Sequence, residues 1–179
     1  MVQSVLILGG AKSGKSSRAQ ARAESWPGRH VYLATATAGD DEMARRIARH
    51  QAVRGELWST VEEPLELAAA LKRADGEDAV LLVDCLTLWL TNLLLMAGLD
   101  DAAVAGRCAE LAGLVPRLAG RVILVANEVG MGIVPGDGLS RRFRDLAGWL
   151  NQQMAAACDE VILVAAGLPL ALKSPAKDV

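Results

Sequence analysis

An α/β domain whose mostly parallel sheet carries helices on both faces is the fold this 179-residue sequence predicts. Three observations predict it: apolar runs of strand length recur along the chain, they are continuous rather than alternating, and segments of helical periodicity separate them. Strands buried on both faces read as unbroken apolar runs, and alternation with helices supplies the crossovers of a parallel sheet. Composition agrees, since 52% hydrophobic and 22% charged residues are too apolar for a disordered chain. With one Tyr, one Phe and four Trp, the core must be built from Leu, Val, Ile and Ala. A single domain over residues 1–179 buries roughly 70% of its unfolded surface and needs no disulfide or metal staple.

The first strand, Val5–Leu8, runs into Gly9-Gly10-Ala11-Lys12-Ser13-Gly14-Lys15-Ser16, and the helical segment Lys15–Ala23 follows. This is G-x-x-x-x-G-K-[ST], the Walker A phosphate loop, in the strand–loop–helix setting its chemistry requires. Its glycines let consecutive N–H groups face phosphate oxygens beside the positive end of a helix. Lys15 reaches the β- and γ-phosphates, and the Ser16 hydroxyl sits on Mg²⁺. The second strand is Val31–Ala34, and Asp41–Val53 is helical, with Arg46, His50 and Arg54 recurring on one flank. Arginines beside an imidazole keep it neutral by like-charge repulsion. Spacing alone nevertheless favours a solvated basic face for His50. The other histidine, His30, reads as a surface residue.

A helix over Pro64–Lys72 precedes the strand Ala79–Val83, which ends in Asp84. An acid after a buried strand is the Walker B arrangement, costly unless it meets a cation or metal-bound water. Its competing role is to cap the helix Leu86–Met96. The Walker pair implies Mg²⁺. After the helix Ala102–Leu118 and the strand Val122–Ala126 comes Asn127-Glu128-Val129-Gly130-Met131-Gly132-Ile133-Val134-Pro135. Loops at the carboxyl ends of parallel strands line the ligand crevice. Asn127 and Glu128 are therefore placed either to orient an attacking hydroxyl or metal-bound water, or to cap and turn. The helix Leu139–Ala157, the strand Val161–Val164, an edge strand Leu168–Leu172 and a frayed tail Ser174–Val179 complete the chain.

The 19 basic and 21 acidic side chains leave a formal charge of -2, which argues against an electrostatic grip on nucleic acid or an anionic membrane. The greasy stretch Leu86–Leu99 is short of the roughly 20 residues of a membrane span, and no charged n-region opens the chain. Cys85, Cys108 and Cys158, odd in number and far apart, make neither a disulfide framework nor a zinc site. A soluble, cytoplasmic protein is expected.

Several stretches together carry a resemblance: the Walker A loop, Tyr32-Leu33-Ala34-Thr35-Ala36, Asp41-Glu42-Met43 with Arg46-Ile47 and His50, Asn127–Pro135, and Arg142-Phe143-Arg144-Asp145-Leu146-Ala147-Gly148 with Asn151-Gln152. Nearly end to end, the chain resembles the bifunctional adenosylcobinamide kinase/adenosylcobinamide-phosphate guanylyltransferase family of cobalamin biosynthesis. The resemblance implies a RecA-like P-loop domain, homotrimeric, with two reactions. ATP or GTP phosphorylates adenosylcobinamide; then His50 attacks the α-phosphate of GTP, and the resulting guanylyl group passes to adenosylcobinamide phosphate, giving adenosylcobinamide-GDP. It also implies nucleotide contacts from Gly9 through Ser16, from Ala34, Thr35 and Ala36, from Gln51, Ala52, Val53 and Arg54, and from Glu62 and Asp84. Glu62 would meet the ribose or guanine edge, or else cap a helix. Two other readings compete: a monofunctional small-molecule P-loop kinase with His50 a bystander, and a GTP-dependent binding module. No Asn-Lys-x-Asp guanine-reading motif supports the latter.

Overall fold

The computed structural model describes residues 3–36, 55 and 57–174. Its strands are β1 (Ser4–Gly9), β2 (Arg29–Ala34), β3 (Trp58–Glu62), β4 (Ala79–Asp84), β5 (Arg121–Asn127), β6 (Glu160–Ala165) and β7 (Leu168–Lys173). They form one sheet in the order β3-β2-β4-β5-β1-β6-β7. All pairings are parallel except that of β7 with β6. The helices among the described residues are α1 (Lys15–Glu24), α2 (Leu67–Ala74), α3 (Leu86–Leu95), α4 (Asp101–Leu114) and α5 (Gly138–Ala157). Asp100 and Asp137 start α4 and α5 by accepting the Ala103 and Ser140 N–H groups, the usual use of Asp at a helix start.

In β1, β2, β4 and β5 the continuous apolar runs have the cause expected of them, burial from both sides, whereas β6 is partly covered and β7 is exposed along its length. Leu6, Leu33, Leu81, Val83 and Leu124 face a core shared with α2, α4 and α5. Val5, Ile7, Val80, Leu82, Ile123 and Val125 face a second core under Ala19 and Ala23 of α1. Successive side chains alternate across a strand. Gly9, Asp84 and Asn127 stand two residues beyond Ile7, Leu82 and Val125, so they share the α1 face at the carboxyl edge of the sheet.

Four local readings are corrected. Strand β3 was not legible, because Ser59, Thr60 and Glu62 interrupt the apolar signature on an exposed edge. The helix expected from Pro64 starts at Leu67, since the Glu63 carboxylate accepts the N–H groups of Leu65 and Glu66 and holds a turn there. The helix expected to reach Leu118 ends at Leu114 in a 3₁₀ turn, Val115–Arg117, where Pro116 lacks an N–H. His30, expected on the surface, is 5% exposed. The strand begins one residue before it, and its ring packs edge-on against Trp58, its cross-strand partner, with Nε2 3.1 Å from the Ala23 carbonyl. The expected helix Asp41–Val53 lies outside the described residues. No described helix is long and apolar enough to cross a membrane.

Candidate nucleotide site at the carboxyl edge of the sheet

The phosphate loop is shaped by close contacts. A Cβ on Gly9 would lie 2.5 Å from both Ser13 Oγ and the Val164 carbonyl oxygen, so only glycine fits. Lys12 (φ 56) and Gly14 (φ 95) adopt left-handed backbone, which lets the chain curl into α1. Neighbouring segments brace the curl: Gly167 N–H donates to the Ser13 carbonyl at 2.9 Å, and Glu128 N–H to the Gly9 carbonyl at 3.1 Å. Lys15 is 8% exposed, folded back so that Nζ donates to the Gly10 carbonyl at 3.0 Å. Gly14, at the head of α1, offers no side-chain cap. The first N–H groups of the helix therefore have no capping side chain, the condition under which a helix start binds an anion.

Asp84 ends β4 and is not a helix cap: Cys85 holds that position, and no side chain caps α3. Asp84 Oδ2 instead accepts the Tyr32 hydroxyl at 3.0 Å. Thr35 is fully buried, and its hydroxyl donates to the Cys85 carbonyl at 2.7 Å while accepting Cys85 N–H at 2.9 Å. Asn92 Nδ2 donates to the Thr35 carbonyl at 2.8 Å, and Thr35 N–H to the Asp84 carbonyl. The hydroxyl, N–H and carbonyl of Thr35 thus tie the end of β2 to Cys85, Asp84 and Asn92 of α3. Burial, then the Asp84 charge, pushes the Cys85 thiol up to about 11, so it is no nucleophile.

Register shows which residues meet. Ala34 aligns with Asp84 on one side and with Glu62 on the other, and Gly9 aligns with Asn127. Glu62, Ala34 and Asp84 thus form a row that leads back towards the phosphate loop. From β1 to β3 this edge spans four strand spacings, about 19 Å. Gly9 to Ser16 and Asp84 are brought to one end of the row, while exposed Glu62 stands at the other and does not cap α2, which has no side-chain cap. His50, Gln51, Ala52, Val53 and Arg54 lie outside the described residues. Sequence reasoning missed Tyr32, whose contact with Asp84 is made across strands and leaves no local signal.

Among the described residues, no group of three or more His, Cys, Asp or Glu could hold a metal. Mg²⁺ takes one or two protein oxygens and fills its shell with substrate phosphates and water. Ser16 and Asp84 fit a metal of that kind.

Fold and site together define a P-loop α/β domain with a strand, β5, inserted between the phosphate-loop strand and the Walker B strand. Solved structures share the fold. The P4 protein of bacteriophage phi6 in complex with ADP matches at TM-score 0.51 and 14% identity, over 94% of this chain and 52% of that one. The type III secretion ATPase EscN of enteropathogenic E. coli matches at TM-score 0.60 and 14% identity, over 92% and 43%. The family model described as cobinamide kinase / cobinamide phosphate guanyltransferase matches residues 5–172. The bifunctional adenosylcobalamin biosynthesis protein CobP of Pseudomonas aeruginosa is 52% identical over 168 residues, 94% of this chain and 96% of that protein. CobU of Escherichia coli K12, of the same description, is 40% identical over 180 residues, 94% and 99%. The chain belongs to the cobinamide kinase / cobinamide phosphate guanyltransferase family.

Proposed function

We propose that this chain catalyses two successive transfers in cobalamin biosynthesis. ATP or GTP phosphorylates adenosylcobinamide, and GMP from GTP is then joined to adenosylcobinamide phosphate, giving adenosylcobinamide-GDP. The observation that carries the reading is the family match over residues 5–172, on a chain whose Lys15 closes over a braced phosphate loop in the same edge as Asp84.

In the first transfer the N–H groups of Gly10 to Ser16 and the Lys15 ammonium hold the triphosphate, and Ser16 and Asp84 would hold Mg²⁺. Bound there, the metal would supply charge neutralisation to the triphosphate. The substrate hydroxyl attacks the γ-phosphorus in line, and the bond to the bridging oxygen breaks to release the nucleoside diphosphate. In the second transfer an imidazole nitrogen of His50 attacks the α-phosphorus and pyrophosphate leaves. A phosphate oxygen of adenosylcobinamide phosphate then attacks the guanylyl phosphorus and frees the histidine. A neutral imidazole suits both roles, as nucleophile and as leaving group. Ala34, Ala36, Glu62 and the segment Gln51, Ala52, Val53 and Arg54 accommodate the guanosine. The row from Asp84 through Ala34 to Glu62 supports this, because it extends away from the phosphate loop along one edge. Thr35 acts on the site through Asp84 and Cys85.

A cytoplasmic setting is supported by three buried free thiols, and a homotrimer by exposed Met131, Ile133 and Val134, which subunit contacts would cover. GTP labelled at the α-phosphate tests the reading. Wild type should retain a covalent label that is acid-labile and alkali-stable; His50→Ala should lose it yet still phosphorylate adenosylcobinamide. Phosphorylation with no label in wild type would leave a kinase alone. Neither reaction would defeat the assignment.

A further inference from the structure

We infer that Asn127 touches the reacting groups of the first transfer, accepting a hydrogen bond from the attacking hydroxyl and donating one to the γ-phosphoryl group. The inference rests on the phosphoryl transfer proposed above and names a residue that neither Walker motif contains.

Placement comes first. Asn127 ends β5, the strand lying between β1 of the phosphate loop and β4 of Asp84. Its Cα is the register partner of Gly9, while Asp84 aligns with Val125, two residues earlier on the same strand. Strand spacing and rise put the Asn127 Cα about 5 Å from that of Gly9 and about 8 Å from that of Asp84. All three share the α1 face, so Asn127 stands between the phosphate loop and the carboxylate. Its backbone is immobilised: the N–H donates to Thr87 Oγ1 at 2.7 Å, and the carbonyl accepts Asn151 Nδ2 at 3.3 Å. The next N–H, of Glu128, bonds the Gly9 carbonyl.

Side-chain chemistry then narrows the role. Asn127 Oδ1 is buried and has no hydrogen-bond donor among the described residues. Leaving such an acceptor unmet costs about 1–3 kcal/mol, and buried polar groups of this kind ordinarily find a partner. Phosphate oxygens only accept, so a bound triphosphate cannot supply the missing donor. An acceptor hydroxyl can. A primary amide carries an acceptor oxygen and a donor NH₂ side by side on one rigid plane, so a single orientation presents both to the site. One residue can thus hold the hydroxyl and the phosphoryl group together without adding negative charge beside the triphosphate. Glu128 is less suited, because its Oε1 is occupied by Gly130 N–H at 2.7 Å. Asn127 takes no proton. As the new O–P bond forms and the β–γ bridging bond breaks, the hydroxyl proton passes to an oxygen of the transferred phosphoryl group.

The test uses Asn127→Ala and the near-isosteric Asn127→Leu, which fills the same space without the amide. For either variant, kcat for adenosylcobinamide phosphorylation should fall about 100-fold, the scale of lost positioning. GTP affinity by calorimetry and α-labelling of the protein by GTP should fall by no more than about tenfold, the share of the one hydrogen bond to the γ-phosphoryl group, because the hydroxyl acceptor takes no part in them. Should the alanine variant fail to fold, the leucine variant carries the test. A folded variant phosphorylating within about fivefold of wild type overturns the inference, as does a loss of kinase activity matched by equal losses in GTP affinity and labelling. A wild-type chain that does not phosphorylate adenosylcobinamide overturns the underlying reading as well, a result visible before any substitution is made.

Discussion

Two oxygens close around the hydrogen of Gly9, and they differ in how they can yield. The Ser13 hydroxyl, 2.5 Å from a Cβ placed there, can rotate away; the Val164 carbonyl, equally near, is fixed in the β1–β6 ladder. Gly9→Ala must therefore shift the loop backbone, and overpacking of this kind costs about 1–3 kcal/mol. Because the same backbone supplies the phosphate-binding N–H groups, GTP affinity should drop about tenfold or more. Chemical denaturation and calorimetry check both effects, and an unchanged Kd would show that the loop does not need this close approach. At this scale much was legible. Lys15, Ser16 and Asp84 announce themselves by spacing and by an acid closing an apolar run. Tyr32 and the buried oxygen of Asn127 do not, since their significance depends on which strand lies beside them.

Among the elements, β1 owes its position partly to a clamp at its amino end. Asp159 Oδ2 accepts Gln3 N–H at 2.9 Å and both the N–H and the hydroxyl of Ser4 at 3.0 Å. Burial raises the Asp159 pKa, but these donors outweigh it and hold the group below its ordinary value. A depressed folded pKa gives stability that is complete above the unfolded value, near 3.9, and that is lost as pH falls through the folded one. Asp159→Asn should cost about 1–2 kcal/mol at pH 7, a difference that shrinks towards zero as urea titrations are taken below about pH 4. A penalty independent of pH would place the effect in packing rather than in the carboxylate. The strands and helices themselves followed largely from sequence. The failures were β3, too polar and too exposed to print the pattern, and the two helix boundaries, set by a glutamate and a proline acting locally.

Taken whole, the molecule sets an apolar core on each face of the sheet, and the thiols belong to both. Cys85 lies in the core under α1; Cys108 and Cys158 lie in the other. Burial pushes Cys108 and Cys158 up to about 12 and, with the Asp84 charge, Cys85 up to about 11. Thiolate is the reactive form. At pH 8 an aromatic disulfide reagent should therefore modify none of the three in the native protein and all three after denaturation in guanidinium. A thiol that reacts rapidly in the native state would contradict the burial described here.

What the sequence determined by itself is whatever contiguous residues encode: the alternation of strand and helix, the phosphate loop with its lysine and serine, the acid closing β4, and the resemblance those stretches carry. What only the tertiary structure decided is the strand order, and through it the setting of Asn127 between Gly9 and Asp84, the row from Asp84 to Glu62, and the loss of Thr35 to a bracing role. The physical reason is that periodicity and turn chemistry act within a few residues. Lateral order in a parallel sheet is fixed by crossovers and by burial summed over the whole chain.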